Sequence, residues 1–214
     1  MLAARVQRIP RELKLFMAAI LAMGMAISIV DATFNNFLDE RYALNGFERA
    51  FLEFPREIPG LMVVFVSALL WFLCSRRLGA LAMVLGAVGT FLIGFAAPSY
   101  GIMVVWLFIY SLGQHLFLPL NSSIGMELAR EGQAGRRLGQ LNAVRNLAAI
   151  LGSFLVFIGF TYLHFSFHHT FALATVAFII AAVLLFAMQT EKTQAPALHL
   201  RLYRPYRLYY VLSV

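Results

Sequence analysis

The chain has 214 residues, 61% of them hydrophobic and 13% charged, with a net charge of +7. Soluble proteins are about 45 to 50% apolar and about 25% charged, so a water-soluble core could not hide this much apolar surface. The basic residues fall in clusters between apolar runs rather than in a stripe, which speaks against nucleic acid, and the single cysteine, Cys74, rules out an intrachain disulfide and a Cys-based metal site.

A spanning helix needs roughly 20 mostly apolar residues, and about six such spans plus short loops account for nearly the whole chain. The expected fold is therefore all-α, a polytopic membrane bundle of about six transmembrane helices. Arg5, Arg8, Arg11 and Lys14 precede the first span, Lys14 to Leu38. Its apolar stretch is longer than a signal-peptide core and lacks a clear cleavage site, so it reads as a retained helix. Gly24, Ser28, Asp31 and Asn35 follow at spacings that place a small-and-polar stripe on one helical face, expected to look inward. A charge at the bilayer centre costs at least ~2.5 kcal/mol, which makes Asp31 a functional candidate. Two readings stand: a carboxylate that binds a proton or a cationic group beside a cavity, or a hydrated residue paired with Arg49 or Arg56.

The second span, Arg49 to Cys74, opens with Glu53, Pro55, Arg56, Glu57 and Pro59, and two prolines this close are expected to deform its first turns. Arg56 can pair with Glu53 at i−3 or with a neighbouring helix. Arg56 and Glu57 are either a gate at the outer mouth or part of a solvated helix entrance. In the third span, Leu78 to Ala97, Gly79, Gly86, Gly89 and Gly94 indicate close helix packing.

The fourth span, Ile102 to Gly125, places Tyr110, Gln114 and Asn121 near one face, with His115 beside it and Pro119 interrupting the ladder. These groups suit either substrate orientation or interhelical hydrogen bonding. His115 is a proton relay or a structural histidine. In the fifth span, Leu138 to Leu163, Arg145 follows Asn142 and precedes Asn146. It snorkels to the nearer surface or points inward, where it would meet an anionic substrate or a carboxylate. Thr170 to Gln189 is the last span. His164, His168 and His169 before it have a metal-like spacing but no Cys, Asp or Glu nearby, so neither a metal nor any other cofactor is expected. Tyr42, Trp71, Tyr100 and Trp106 at span ends are expected interface anchors.

Lys and Arg near span ends resist translocation and so set the sides. One side collects the amino-terminal cluster, Arg76, Arg77, Arg130, Arg136, Arg137, Lys192, Arg201, Arg204 and Arg207. The other holds Arg41, with Arg49 and Arg56 at its margin. Both termini are thus expected in the cytoplasm.

This arrangement resembles the amino-terminal half of a major facilitator superfamily transporter, which has six helices in two inverted three-helix repeats. The resemblance rests on the short basic turn after the second span, the longer basic loop after the fourth, and Gly135-Arg136-Arg137-Leu138-Gly139-Gln140-Leu141-Asn142. Asp31, Thr33 and Asn36 also match the Asp-x-Thr-x-x-Asn of many first helices in that family. Where the family has Gly-x-x-x-Asp-Arg-x-Gly-Arg-Arg, this chain has Phe72-Leu73-Cys74-Ser75-Arg76-Arg77-Leu78-Gly79-Ala80-Leu81. Only Arg77 and Gly79 match, and Arg76 replaces the acidic residue, so these three are gating candidates with an altered pattern. The Arg and the Gly-Pro pair of proton-driven drug antiporters are also missing, at Ile109 and after Gly152.

The resemblance implies a half-bundle over residues 1–189, a cytoplasmic basic linker over 190–207 and the start of a truncated further helix over 208–214. The expected function is secondary transport of a small solute, with proton coupling through Asp31. The expected setting is a bacterial inner membrane, and the expected partner is a second six-helix half, covalent or in a dimer. A non-transporting scaffold is the alternative. With no Gly-x-Ser-x-Gly, His-Glu-x-x-His or phosphate loop, an intramembrane enzyme is the lesser one.

Overall fold

The computed structural model describes residues 10–70 and 72–189. Among them are six α-helices and no strand: α1 (Arg11–Tyr42), α2 (Gly46–Leu69), α3 (Ser75–Phe95), α4 (Tyr100–Glu127), α5 (Ala134–Tyr162) and α6 (Phe167–Ala187). All but α2 are long and apolar enough to cross a membrane. The exception carries Glu53, Arg56 and Glu57 within its apolar section. Arg5, Arg8, Trp71, the basic linker over 190–207 and the further helix expected over 208–214 lie outside the described residues.

Two helix boundaries differ from expectation for one physical reason. The charged stretch after Leu38 reads as a loop, yet Asp39, Glu40 and Arg41 are helical, and α1 ends only at Tyr42. Ala43 then adopts a left-handed conformation (φ 50°) and its N–H bonds the Asp39 carbonyl. Two residues later Asn45 caps α2 reciprocally with Glu48: each backbone N–H donates to the other's side chain, both at 2.9 Å. Hydropathy falls where charge begins, whereas a helix ends where its hydrogen bonds do. At 32 residues α1 is about 48 Å long, more than the ~30 Å hydrocarbon core.

In α2 the helix runs unbroken through Pro55 and Pro59. Pro59 supplies no N–H to the Pro55 carbonyl, and the Ser111 hydroxyl of α4 donates to the adjacent carbonyl of Arg56.

The helices pack in a closed sequence: α2 on α4, α4 on α3, α3 on α6, α6 on α1 and α1 on α5, with a lighter contact from α5 back to α4. Small residues bring α3 and α4 together. A Cβ on Gly113 would lie 2.5 Å from the Ala82 carbonyl oxygen, and one on Gly89 2.5 Å from the Tyr110 nitrogen. Phe16, Ile20, Tyr110, Phe171 and Phe178 fill the interior. Exposed apolar residues cover the outside, such as Val84, Val88 and Phe91 on α3 and Val176, Ile180 and Val183 on α6. A surface of this kind suits lipid rather than water. The end of the bundle holding Arg11 and Gln189 is called the terminal end below, and the opposite one the distal end.

Candidate functional site

A cavity of about 470 Å³ lies at mid-depth, within the roughly 300 to 1,000 Å³ of small-molecule sites. Every helix contributes to its wall: Asp31 from α1, Arg56 and Glu57 from α2, Met83 from α3, Gln114, His115 and Asn121 from α4, Arg145 and Asn146 from α5, and Phe178 from α6. Met23, Ile27, Phe117 and Leu118 add apolar surface.

Two charge groups face each other across α1, α2 and α4. Asp31 Oδ1 is 3.5 Å from Arg56 Nη2, and Arg56 Nη1 is 3.7 Å from Glu53 Oε1. Glu57 Oε2 is 3.6 Å from His115 Nε2. These separations exceed the 2.7 to 2.9 Å of a close charge-assisted bond, and Asp31 is half exposed. Arg49, the other possible partner of Asp31, instead binds Asp39 at 2.6 Å.

Arg145 is among the residues that line the cavity, and its side chain is exposed. A Cβ on Gly24, near the middle of α1, would lie 3.3 Å from the Arg145 carbonyl oxygen, so Arg145 stands about three turns inside α5. Its Nη2 donates to Asn142 Oδ1 at 2.9 Å, and among the described residues no carboxylate lies within 4.0 Å of it.

The polar stripe of α1 divides between two roles. Gly24 and Ser28 also pack on α5: the Ser28 hydroxyl donates to the Ala149 carbonyl at 2.6 Å and lies 2.8 Å from Ser153 Oγ. Asp31 faces the cavity, while Asn35 is exposed and outside it. Tyr110 is also outside, fully buried edge-on to Phe178, with ring centres 6.0 Å apart. Its hydroxyl accepts a bond from Gln114 Nε2 at 2.8 Å and so orients the amide that does line the wall.

Of the gating candidates, Arg56 and Glu57 line the cavity, whereas Arg76, Arg77 and Gly79 lie at the terminal end. Arg76 is only 5% exposed. It donates to Glu127 Oε1 at 2.5 Å and to the Gln189 carbonyl, and lies 3.8 Å from Glu12 Oε2, which joins the ends of α1, α3, α4 and α6. Arg77 donates to the Phe186 carbonyl at 2.5 Å, and its guanidinium carbon stands 3.9 Å from the centre of the Phe186 ring. Gly79 leaves room for the Phe117 ring, 3.2 Å from where a Cβ would be.

Glu12 and Glu127 had no local signal in the sequence, because each acts through a partner more than fifty positions away. Ser111 was missed for the same reason. In the first turn of α6, His169 Nδ1 accepts the Ser166 N–H at 3.1 Å, and His168 packs edge-on against Phe95 at the end of α3.

The cavity thus offers carboxylates, an imidazole, amides and two guanidinium groups to a polar solute, alongside apolar side chains. No protein-family model matches the chain, and no curated protein matches it.

Proposed function

We propose that the chain forms one six-helix half of a secondary transporter of the major facilitator type and that the mid-depth cavity is its share of the solute site. The observation that carries this reading is the convergence of Asp31, Arg56, Glu57, His115 and Arg145 on one cavity inside an apolar bundle. Charges at that depth are costly, and transport or ion pathways are where membrane proteins keep them. The packing order adds support. Exchanging α1–α3 for α4–α6 turns the α1–α5 contact into α4–α2 and the α1–α6 contact into α4–α3, and leaves α3–α6 unchanged. That is the pattern two inverted three-helix repeats would produce.

Asp31 is the proton carrier in this reading, and Arg145 is the partner for an anionic group of the solute. Asp31, Glu57 and Arg145 are exposed, so a second six-helix half closes the site in the bilayer. The setting is a bacterial inner membrane with cytoplasmic termini.

The test is solute-driven proton movement in vesicles loaded with a pH-sensitive dye, screened against small organic acids and amines. Proton movement is expected when two halves associate, and Asp31→Asn should abolish it. Robust flux by a monomeric chain would end the half-transporter reading, and an unchanged pH profile in Asp31→Asn would remove the coupling role of Asp31. The scaffold reading draws on Arg76, whose buried contacts join four helix ends; it gains if no solute moves protons in either state.

A further inference from the structure

The three arginines of the α4–α5 connection and the start of α5 are used by nothing described so far. Arg130, Arg136 and Arg137 border a hollow of about 410 Å³ at the terminal end, between the beginning of α1, the connection after α4 and the first turns of α5. Among the described residues, none of the three has a carboxylate within 4.0 Å, whereas Arg11, Arg49, Arg56 and Arg76 each have at least one. Arg137 is also incompletely satisfied. Its Nη1 donates to Gln140 Oε1 at 2.8 Å, but its Nε–H is buried and has no acceptor. A buried guanidinium donor without a partner is costly, and a phosphate or carboxylate oxygen is the acceptor its planar fork fits best.

The remaining wall decides the source of that anion. Leu13 and Met17 of α1 and Leu128 after α4 line the same hollow. Leu13 is already buried in the core, but Met17 and Leu128 are only partly so. A soluble anion would leave their open side to water, while a lipid brings a phosphate and a hydrocarbon chain together. Basic hollows between helices near a membrane surface recognise acidic headgroups in this way.

We propose that this hollow is a binding site for an acidic phospholipid, with the phosphate held by Arg130, Arg136 and Arg137 and an acyl chain lying along Met17 and Leu128. The site is separate from the mid-depth cavity and does not depend on what that cavity binds.

The test compares spin-labelled phosphatidylglycerol with spin-labelled phosphatidylcholine in phosphatidylcholine vesicles containing the full chain. A larger motionally restricted fraction is expected for phosphatidylglycerol. In Arg137→Gln the preference should fall about fivefold, the loss that one arginine near a charged headgroup accounts for. Arg136→Gln should lower it in the same direction, and Arg41→Gln, which removes the same charge at the distal end, should leave it unchanged. Equal restriction of the two lipids by the unaltered chain overturns the proposal and needs no variant to fold. An equal fall in Arg41→Gln overturns it as well, since general attraction would then explain the preference. So does inorganic phosphate alone raising the thermal stability of the detergent-solubilised chain as much as phosphatidylglycerol does, because the site would then belong to a soluble anion.

Discussion

The α1–α5 and α2–α4 seams both border the mid-depth cavity, yet they are built differently. At the first, Gly24 lets α1 approach the Ala148 methyl closely, Gly152 lies against the Met25 carbonyl, and Ser28 bonds both Ala149 and Ser153. At the second, only Leu52 and Pro59 of α2 are buried, and Gly60 faces the edge of the His115 ring. Phe47, Phe51, Phe54, Leu61 and Phe65 of α2 remain exposed. One seam is backbone against backbone with little room to give. The other has fewer buried side chains, with Leu52 and Pro59 supplemented by the Ser111 bond to the Arg56 carbonyl and the long His115–Glu57 pair. The wall of the cavity is therefore rigid on the α1–α5 side and weakly attached on the α2 side, which makes α2 the element expected to move when a solute enters.

Substitutions in the two seams sharpen this contrast. The largest effect is expected from Gly152→Leu. A Cβ there would already lie 2.9 Å from the Met25 carbonyl oxygen and 3.0 Å from Ser28 Cβ, so the helices must separate. Overpacking of this kind costs about 3 kcal/mol, read as a lower midpoint in denaturing-detergent titration. Ser28→Ala should cost about 1 kcal/mol in the same titration, since interhelical hydrogen bonds in membranes average ~0.6 kcal/mol and this hydroxyl has two partners. Gly60→Ala at the α2 seam should shift the midpoint by less than about 0.5 kcal/mol, because its neighbour is a side-chain ring that can turn aside. Arg56→Gln should fall below about 1 kcal/mol, as its two pairs are long and partly exposed. If Gly60→Ala proved as damaging as Gly152→Leu, the seams would be equally rigid and the distinction would fail.

Much of the helical plan was legible in the sequence. Apolar runs between charged or Pro-rich punctuation marked the helices, and the glycines of α3 indicated close packing that Gly86, Gly89 and Gly94 make. Boundaries were less legible where charge continues inside a helix, as at Asp39 to Arg41. The start of α2 at Gly46, three residues before the expected Arg49, is set by the capping pair Asn45 and Glu48. At the site, Asp31, Gln114, His115, Arg56, Glu57 and Arg145 stood out as polar groups within apolar spans, and the fold brings them to one cavity. Helical spacing alone could not separate them from Asn35 and Tyr110, which carry the same signals but lie outside it. Spacing places residues on a face; which neighbour covers that face depends on the other helices.

Composition and apolar periodicity by themselves determined that this chain is a helical bundle for a lipid environment, because the balance of apolar and charged residues leaves no soluble alternative. Tertiary structure alone decided the partners. By sequence Arg145 suits snorkelling slightly better, and its place in the cavity wall emerges only once α1 packs beside α5 at Gly24. Arg76 was an anomaly in a loop motif until Glu12, Glu127 and Gln189 met it from three other helix ends. Ion pairs and hydrogen bonds between distant positions exist only once the helices are in place, so no local pattern could have announced them.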